Sequence, residues 1–227
     1  MSRTNAQDSN RYFHITRFQD CLRGKEGQIL LGAFKSIVEI GVSATRIRTI
    51  AAKANMNPGI IHYYFKSKDH LLTRLIEILY ESTIANLEAL LASNLSPIEK
   101  LDALFDLGLS LSRSRMDDWV VMASFWAHSM SKKSLMLSHH RKLYRHFRNS
   151  MTKILEEVID DFKIGSGRDF ALLIIGTMEG LGFQYVLDPR QADPEKSITL
   201  FKELMHSAIG HRTEKTTAKN LCRAGTS

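Results

Sequence analysis

The 227-residue chain carries 31 Lys+Arg against 24 Asp+Glu, a formal charge of +7, with 44% hydrophobic and 24% charged residues. That balance supports a sizeable core and excludes wholesale disorder. No run approaches 18 consecutive apolar residues and the first 25 residues are interspersed with charge, so no membrane span or secretory signal is expected, and the expected location is cytoplasmic. Cys21 and Cys222 form no metal or redox spacing. The charge is uneven: residues 1–70 hold 11 Lys+Arg and 5 Asp+Glu (+6), residues 71–210 hold 16 and 18 (−2), and residues 211–227 hold 4 and 1 (+3). A basic first third on a neutral body suits a polyanion-binding module on a scaffold, although an ordinary solvated surface gives the same sum.

In chain order, residues 1–23 read as a basic arm with Arg3, Arg11, Arg17 and Arg23 and an aromatic cluster of Tyr12, Phe13 and Phe18. From about Gln28 to Glu39, Ile29, Leu30, Ala33, Phe34, Ile37 and Val38 form one apolar face, and Gly41 is the expected stop. Thr45 offers an N-cap before Ile47, Ile50, Ala51 and Ala54, and Asn55 supplies a left-handed stop. Asn57 is a second N-cap with Pro58 at the first helical position, which predicts a short helix over 58–64. Two short helices joined at Asn55-Met56-Asn57 outline a helix-turn-helix. Ser67 caps a long helix to about Ala92, and Ser96-Pro97-Ile98-Glu99 has the form of a capping box opening a helix to about Arg113. Further helices are predicted over about 117–130, 132–162 and 169–187, the last after the break Gly165-Ser166-Gly167, and from Asp193-Pro194 to about Ile209. Residues 211–227 show no periodicity and read as a disordered tail. No convincing period-2 alternation occurs, so the predicted fold is all-α.

The run from Gly41-Val42-Ser43-Ala44-Thr45-Arg46-Ile47-Arg48-Thr49-Ile50-Ala51 through Asn57-Pro58-Gly59-Ile60-Ile61-His62-Tyr63-Tyr64-Phe65-Lys66-Ser67-Lys68-Asp69-His70-Leu71-Leu72 resembles the DNA-binding domain of the TetR family of one-component regulators. Asn55 stands where the family most often has glycine, and His62 where it usually has tyrosine. The residues support the same reading independently. Asn57, Pro58, Gly59 and Ile60 form a helix end slim enough to approach base edges. His62 reads as a surface contact, Tyr63 and Tyr64 can reach phosphates or thymine methyls, and Phe65 reads as core. Lys68 at a helix start is a candidate phosphate clamp, Thr45 combines cap and phosphate roles, and Arg46 and Arg48 flank the recognition helix. The arm could enter an adjacent minor groove or merely solvate the end.

The resulting division is an arm at 1–23, a helix-turn-helix domain at 24–70, a ligand-binding and dimerisation domain at 71–210, and the tail. Phe125-Trp126-Ala127-His128-Ser129-Met130 and Glu179-Gly180-Leu181, with Gly59-Ile60-Ile61 and Tyr64-Phe65, resemble more weakly the choline-responsive BetI branch, which implies an effector pocket and dimerisation through the last two helices. Gly176 and Gly180 at i and i+4 suggest a close helix pair, with Phe201 and Met205 completing a homodimer interface; intrachain packing is the alternative. Trp119, Met122, Trp126, His128, Tyr144 and Phe183 supply polarisable side chains, and Glu179 inside the most apolar helix needs a partner. The expected effector is therefore cationic or amphipathic.

No Walker loop, GxGxxG, HExxH or GxSxG occurs, so no enzyme, cofactor or metal is expected. The reading is a homodimeric, effector-responsive regulator, most often a repressor in this family, on double-stranded operator DNA; an all-helical structural or adaptor protein without sequence-specific DNA binding is the alternative.

Overall fold

Helix follows helix wherever the apolar spacing predicts one. The computed structural model describes residues 22–113, 116–131, 135–162 and 165–207, so nearly all of the arm and the whole tail, with Cys21 and Cys222, lie outside the described residues. The helices are α1 (Gly24–Ala44), α2 (Ile47–Ala54), α3 (Pro58–Tyr64), α4 (Lys68–Leu91), α5 (Pro97–Arg113), α6 (Met116–Ser131), α7 (Leu135–Phe162) and α8 (Gly167–Leu187), followed by α9 (194–207). Among the described residues there is no strand.

The stops and caps explain these boundaries. Gly41 has φ 72° and ψ 167°, a conformation open to glycine, and kinks the end of α1. Asn55 closes α2 in the left-handed region at φ 54° and ψ 48°. Asn57 Oδ1 accepts from Gly59 N at 2.8 Å, and Ser67 Oγ accepts from His70 N at 3.0 Å. Ser96 N donates to Glu99 Oε2 at 2.8 Å, and Asp193 Oδ1 accepts from Lys196 N at 3.1 Å.

Thr45 departs from its predicted role. Its wholly buried hydroxyl turns back to donate to Gly41 O at 2.8 Å, so it finishes α1 rather than starting α2. The opening of α2 is secured by Thr49 Oγ1, which accepts from Arg46 N at 3.0 Å. Ser36 Oγ lies 3.2 Å from both Thr45 Oγ1 and Thr49 Oγ1, so three hydroxyls satisfy one another where α1 crosses α2.

Two apolar clusters fill the interior. One joins α1–α4 through Ile29, Ile37, Ile50, Ile61, Phe65 and Leu75, and also takes Val121 and Phe125 from α6. The other joins Leu87 and Leu90 of α4 to Phe105, Ile154, Val158, Phe170 and Ile174. α4 therefore contributes to both. Lys100, almost wholly buried, donates to Leu91 O at 3.2 Å and pairs with Glu157 Oε2 at 2.5 Å, which ties the end of α4 to α5 and α7.

The α1–α2 crossing is close enough to exclude any side chain at Gly32, where a Cβ would lie 2.8 Å from Ile50 O and 2.9 Å from Ala54 N. Because these are backbone atoms, they cannot rotate aside. Gly32→Ala should lower stability by about 1–3 kcal/mol in urea unfolding. Gly59→Ala, whose Cβ meets only Asn57 Oδ1 at 3.3 Å, should change it by no more than about 0.5 kcal/mol. Equal stability of the two variants would contradict the close crossing.

Candidate nucleic-acid interface and effector cavity

The helix-turn-helix presents a divided surface. Ile61 and Phe65 are buried, Phe65 as expected for a core position, and Ile60 and Tyr64 pack half-buried against the same cluster. Outside, Asn57, Pro58, Gly59, His62 and Tyr63 are exposed, Tyr63 at 84%, beside exposed Arg46 and Arg48. The result is a slim polar edge backed by a rigid apolar base, which can enter a major groove while cationic groups meet the flanking phosphates. The Tyr63 ring meets Tyr64 edge-on at 5.3 Å between centroids, which restrains an otherwise open side chain.

Burial overturns one expected phosphate contact, and bonding gives another residue a role within the chain. The Thr45 side chain has no exposed surface, so its hydroxyl meets protein only. The half-buried Lys68 ammonium donates to Val42 O at 3.1 Å and Thr45 O at 2.6 Å, which makes it a fastener between the α1–α2 corner and the first turn of α4. Lys66, not singled out from the sequence, stands exposed next to that helix start. Its only sequence signal was its charge.

A cavity of ≈ 160 Å³ lies within the body, between α4, α5, α6, α7 and α8. Leu79, Leu104, Met122, Met151, Ile175 and Met178 give it apolar walls, while Trp119, Trp126 and Glu179 also line it. Trp119, Met122, Trp126 and Glu179 are thus brought together as expected. Tyr144 enters through Glu179: its hydroxyl lies 3.0 Å from both Oε1 and Oε2 and donates to the carboxylate. Burial pushes the Glu179 carboxyl up to about 7, partly opposed by the Tyr144 hydrogen bond. The same surroundings raise the Tyr144 phenol above its ordinary range, through burial first and the Glu179 charge second. Phe183 is more peripheral; its ring stacks at 5.2 Å on Trp126, outside the cavity lining.

His128 is placed differently from expectation. It lies outside the cavity lining, with Nδ1 3.3 Å from Ser43 Oγ at the end of α1, because the α6 face that carries it turns toward the DNA-binding head. The histidine that accompanies Trp126 is His140 of α7. Its Nε2 accepts from Trp126 Nε1 at 3.1 Å and lies 3.0 Å from the Tyr80 hydroxyl, while Nδ1 lies 3.3 Å from Ser129 Oγ. Burial, followed by the neighbouring His139, lowers His140 to about 4, so it is neutral at physiological pH with its proton on Nδ1. The sequence showed His140 only as one of two adjacent histidines; the partner helix that selects it was not legible.

The residues expected at a dimer interface differ in their surroundings. Phe201 packs edge-on against Phe105 at 5.4 Å and Met205 against the same core, so both serve intrachain packing. Their neighbours Leu200 and Leu204 are exposed at 56% and 58%, and Leu173 and Leu187 on α8 at 65% and 82%. Gly176 and Gly180 lie on the exposed α8 side, with no atom within 4 Å of a Cβ built there.

A helix-turn-helix head carried on a helical body with an internal cavity defines a DNA-binding regulator with a ligand-binding domain. The chain belongs to the TetR family: residues 29–75 match the family described as bacterial regulatory proteins, tetR family, and residues 97–210 match the BetI-type transcriptional repressor C-terminal domain. It is a transcriptional regulator with an N-terminal DNA-binding and a C-terminal ligand-binding domain. Among its relatives, the HTH-type transcriptional regulator PksA of Bacillus subtilis is 22% identical over 190 residues, covering 83% of this chain and 92% of that protein. BetI of Burkholderia thailandensis is 29% identical over 139 residues, covering 58% and 69%. The fold is shared with a regulator from Saccharomonospora viridis solved with choline (TM-score 0.69, 20% identity, covering 80% and 95%). It is also shared with FadR from Bacillus subtilis solved with stearoyl-CoA (TM-score 0.64, 21% identity, covering 82% and 96%).

Glu179 makes stability depend on pH. A carboxyl whose folded pKa is raised stabilises the fold below the ordinary carboxylate range, and that stabilisation is lost as pH rises through the folded value near 7. Glu179→Gln removes the titration. In urea unfolding at pH 5 and pH 8, the variant should gain about 2–3 kcal/mol on the wild type between the two conditions. Parallel behaviour would show that Glu179 is ordinarily solvated.

Proposed function

We propose that the chain represses transcription as a cytoplasmic homodimer on operator DNA, and that an amphipathic small molecule in the cavity releases it. The proposed units are the head at 24–70, reading bases through Asn57, Gly59, His62 and Tyr63, and the body at 71–210. The carrying observation is that α4 and α6 each touch both the head and the cavity. α4 is fastened to the α1–α2 corner by Lys68 and lines the cavity with Leu79, Tyr80 and Leu87. α6 meets Ser43 through His128 and lines the cavity with Trp119, Met122 and Trp126. A ligand that favours one position of these helices therefore favours one placement of the head. Coupling of about 1–3 kcal/mol would change DNA affinity roughly 5- to 150-fold.

The dimer reading rests on the apolar face of Leu173, Gly176, Gly180, Leu187, Leu200 and Leu204. α8 is strongly apolar yet mostly left open by the chain's own packing, and a second copy would cover that face. Two heads would read two half-sites one or more helical turns apart. Of the two effector chemistries expected from the sequence, the amphipathic one agrees better with apolar cavity walls that meet polar groups at one end. The relatives' role as regulators supports a binding function rather than an enzymatic one.

Titration of labelled DNA flanking the chain's own gene tests the reading. Affinity should fall linearly in a log–log plot against salt, and Arg48→Ala should reduce the slope by about 1. Leu173→Glu combined with Leu204→Glu should give monomers in sedimentation and weaken DNA binding more than tenfold. Undiminished binding by a monomer would contradict it.

A further inference from the structure

A second compartment adjoins the cavity. It is an open groove of ≈ 440 Å³ between α6, α7 and α8, and Trp126 and Glu179 line both spaces. The two linings differ in chemistry. The inner cavity is walled mainly by aliphatic and aromatic side chains, with Thr83 and Asp118 also in its lining, whereas the groove receives Arg141, Arg145 and Arg148 from α7. Their spacing of i, i+4 and i+7 places the three guanidinium groups along one stripe of the helix.

Like charges at such spacing repel one another, and among the described residues no ion pair to a carboxylate holds these arginines. Arg148 instead lies over the ring of Tyr144, another lining residue of the groove, at 5.7 Å from its centroid. Glu179 is the one carboxylate lining the groove. Burial and the Tyr144 hydrogen bond hold it close to half-protonated at neutral pH, so it offsets less than one of the three positive charges. The groove is therefore an electropositive mouth on an apolar chamber. A cationic head would face three arginines there, whereas a carboxylate or phosphate could accept forked hydrogen bonds from them.

We propose that the effector is a short-chain amphiphile with an anionic head, carboxylate or phosphate. The head lies at Arg141, Arg145 and Arg148, and the chain passes Trp126 into the inner cavity. This proposal rests on the reading of the cavity as the effector site. The inner volume is of the order that holds one benzene-sized molecule, which corresponds to a hydrocarbon portion of about six carbons. Met130, exposed at 76% on the groove rim, offers an adaptable apolar surface at the entrance.

The full-length chain can be titrated with octanoate, octyl phosphate, octyltrimethylammonium and octanol, read by the fluorescence of Trp119 and Trp126, with operator affinity measured in parallel. Octanoate or octyl phosphate should bind at least tenfold more tightly than the ammonium compound and the alcohol, and the tighter of the two identifies the head. Arg141→Gln combined with Arg145→Gln should weaken the anion at least tenfold, leave octanol unchanged, and keep the wild-type melting temperature. Met122→Trp, which narrows the chamber without touching the groove, should weaken all four. Tighter binding of octyltrimethylammonium, or an arginine variant that binds the anions as wild type does, would overturn the anionic head while leaving the cavity reading intact. Ligand binding without any change in operator affinity would instead overturn the effector reading itself.

Discussion

The Lys68 ammonium, donating to the carbonyls of Val42 and Thr45, joins the α1–α2 corner to the first turn of α4, and Arg74 pairs with Glu26 of α1 at 3.7 Å further along the same helix. The Gly41 kink turns these carbonyls out of the regular α1 ladder, and a charge-assisted donor satisfies them where a neutral one would hold less firmly. Once the first turn of α4 is fixed to the α1–α2 corner, the head has one orientation relative to a helix about 36 Å long. The same helix lines the cavity with Leu79, Tyr80 and Leu87. In the function proposed, movement of α4 would reach the head through the hydrogen bonds of Lys68, and movement of α6 through its contact with α1.

The body tolerates polar groups that a purely structural core would avoid. Glu179 accepts the Tyr144 hydroxyl on both oxygens, and His140 is surrounded by the Trp126 indole N–H, the Tyr80 hydroxyl and Ser129. Each group is satisfied, yet burying a carboxyl that would otherwise ionise costs stability that aliphatic packing would not. Glu179, Tyr80 and Trp126 also line the cavity, so the polar cluster and the cavity form one continuous region. Gly182 contributes by its lack of a side chain: a Cβ there would meet the Trp119 ring at 2.5 Å, and the close approach sets the wall of the chamber.

Helix boundaries were legible in the sequence because caps and stops act locally. Asn55, Asn57, Ser67, Ser96 and Asp193 behave as their chemistry predicts, and Gly41 breaks α1 as expected. The slim exposed edge of α3 was legible too, since Ile61 and Phe65 had to turn inward. The departures all concern which neighbour a side chain meets. Thr45 and Thr49 are both credible caps for α2, and burial against Ser36 decides between them. Phe201 and Met205 share the i, i+4 spacing of Leu200 and Leu204, and only the position of Phe105 shows which stripe faces the chain's own core. His128 and His140 each lie near Trp126 along the chain or in space, but the rotation of α6 directs one toward Ser43 and leaves the other to the indole. Spacing along a helix fixes the angle between two side chains without fixing what lies opposite them.

In the function proposed, the exposed edge of α3 reads bases and two such edges act together. Selecting bound duplexes from a random-sequence pool with the full-length chain and sequencing what survives tests both points at once. The expected result is enrichment of a two-fold symmetric motif whose halves are separated by about one helical turn or a multiple of it. Recovery of sequences without symmetry, or of no enriched sequence at all, would contradict it.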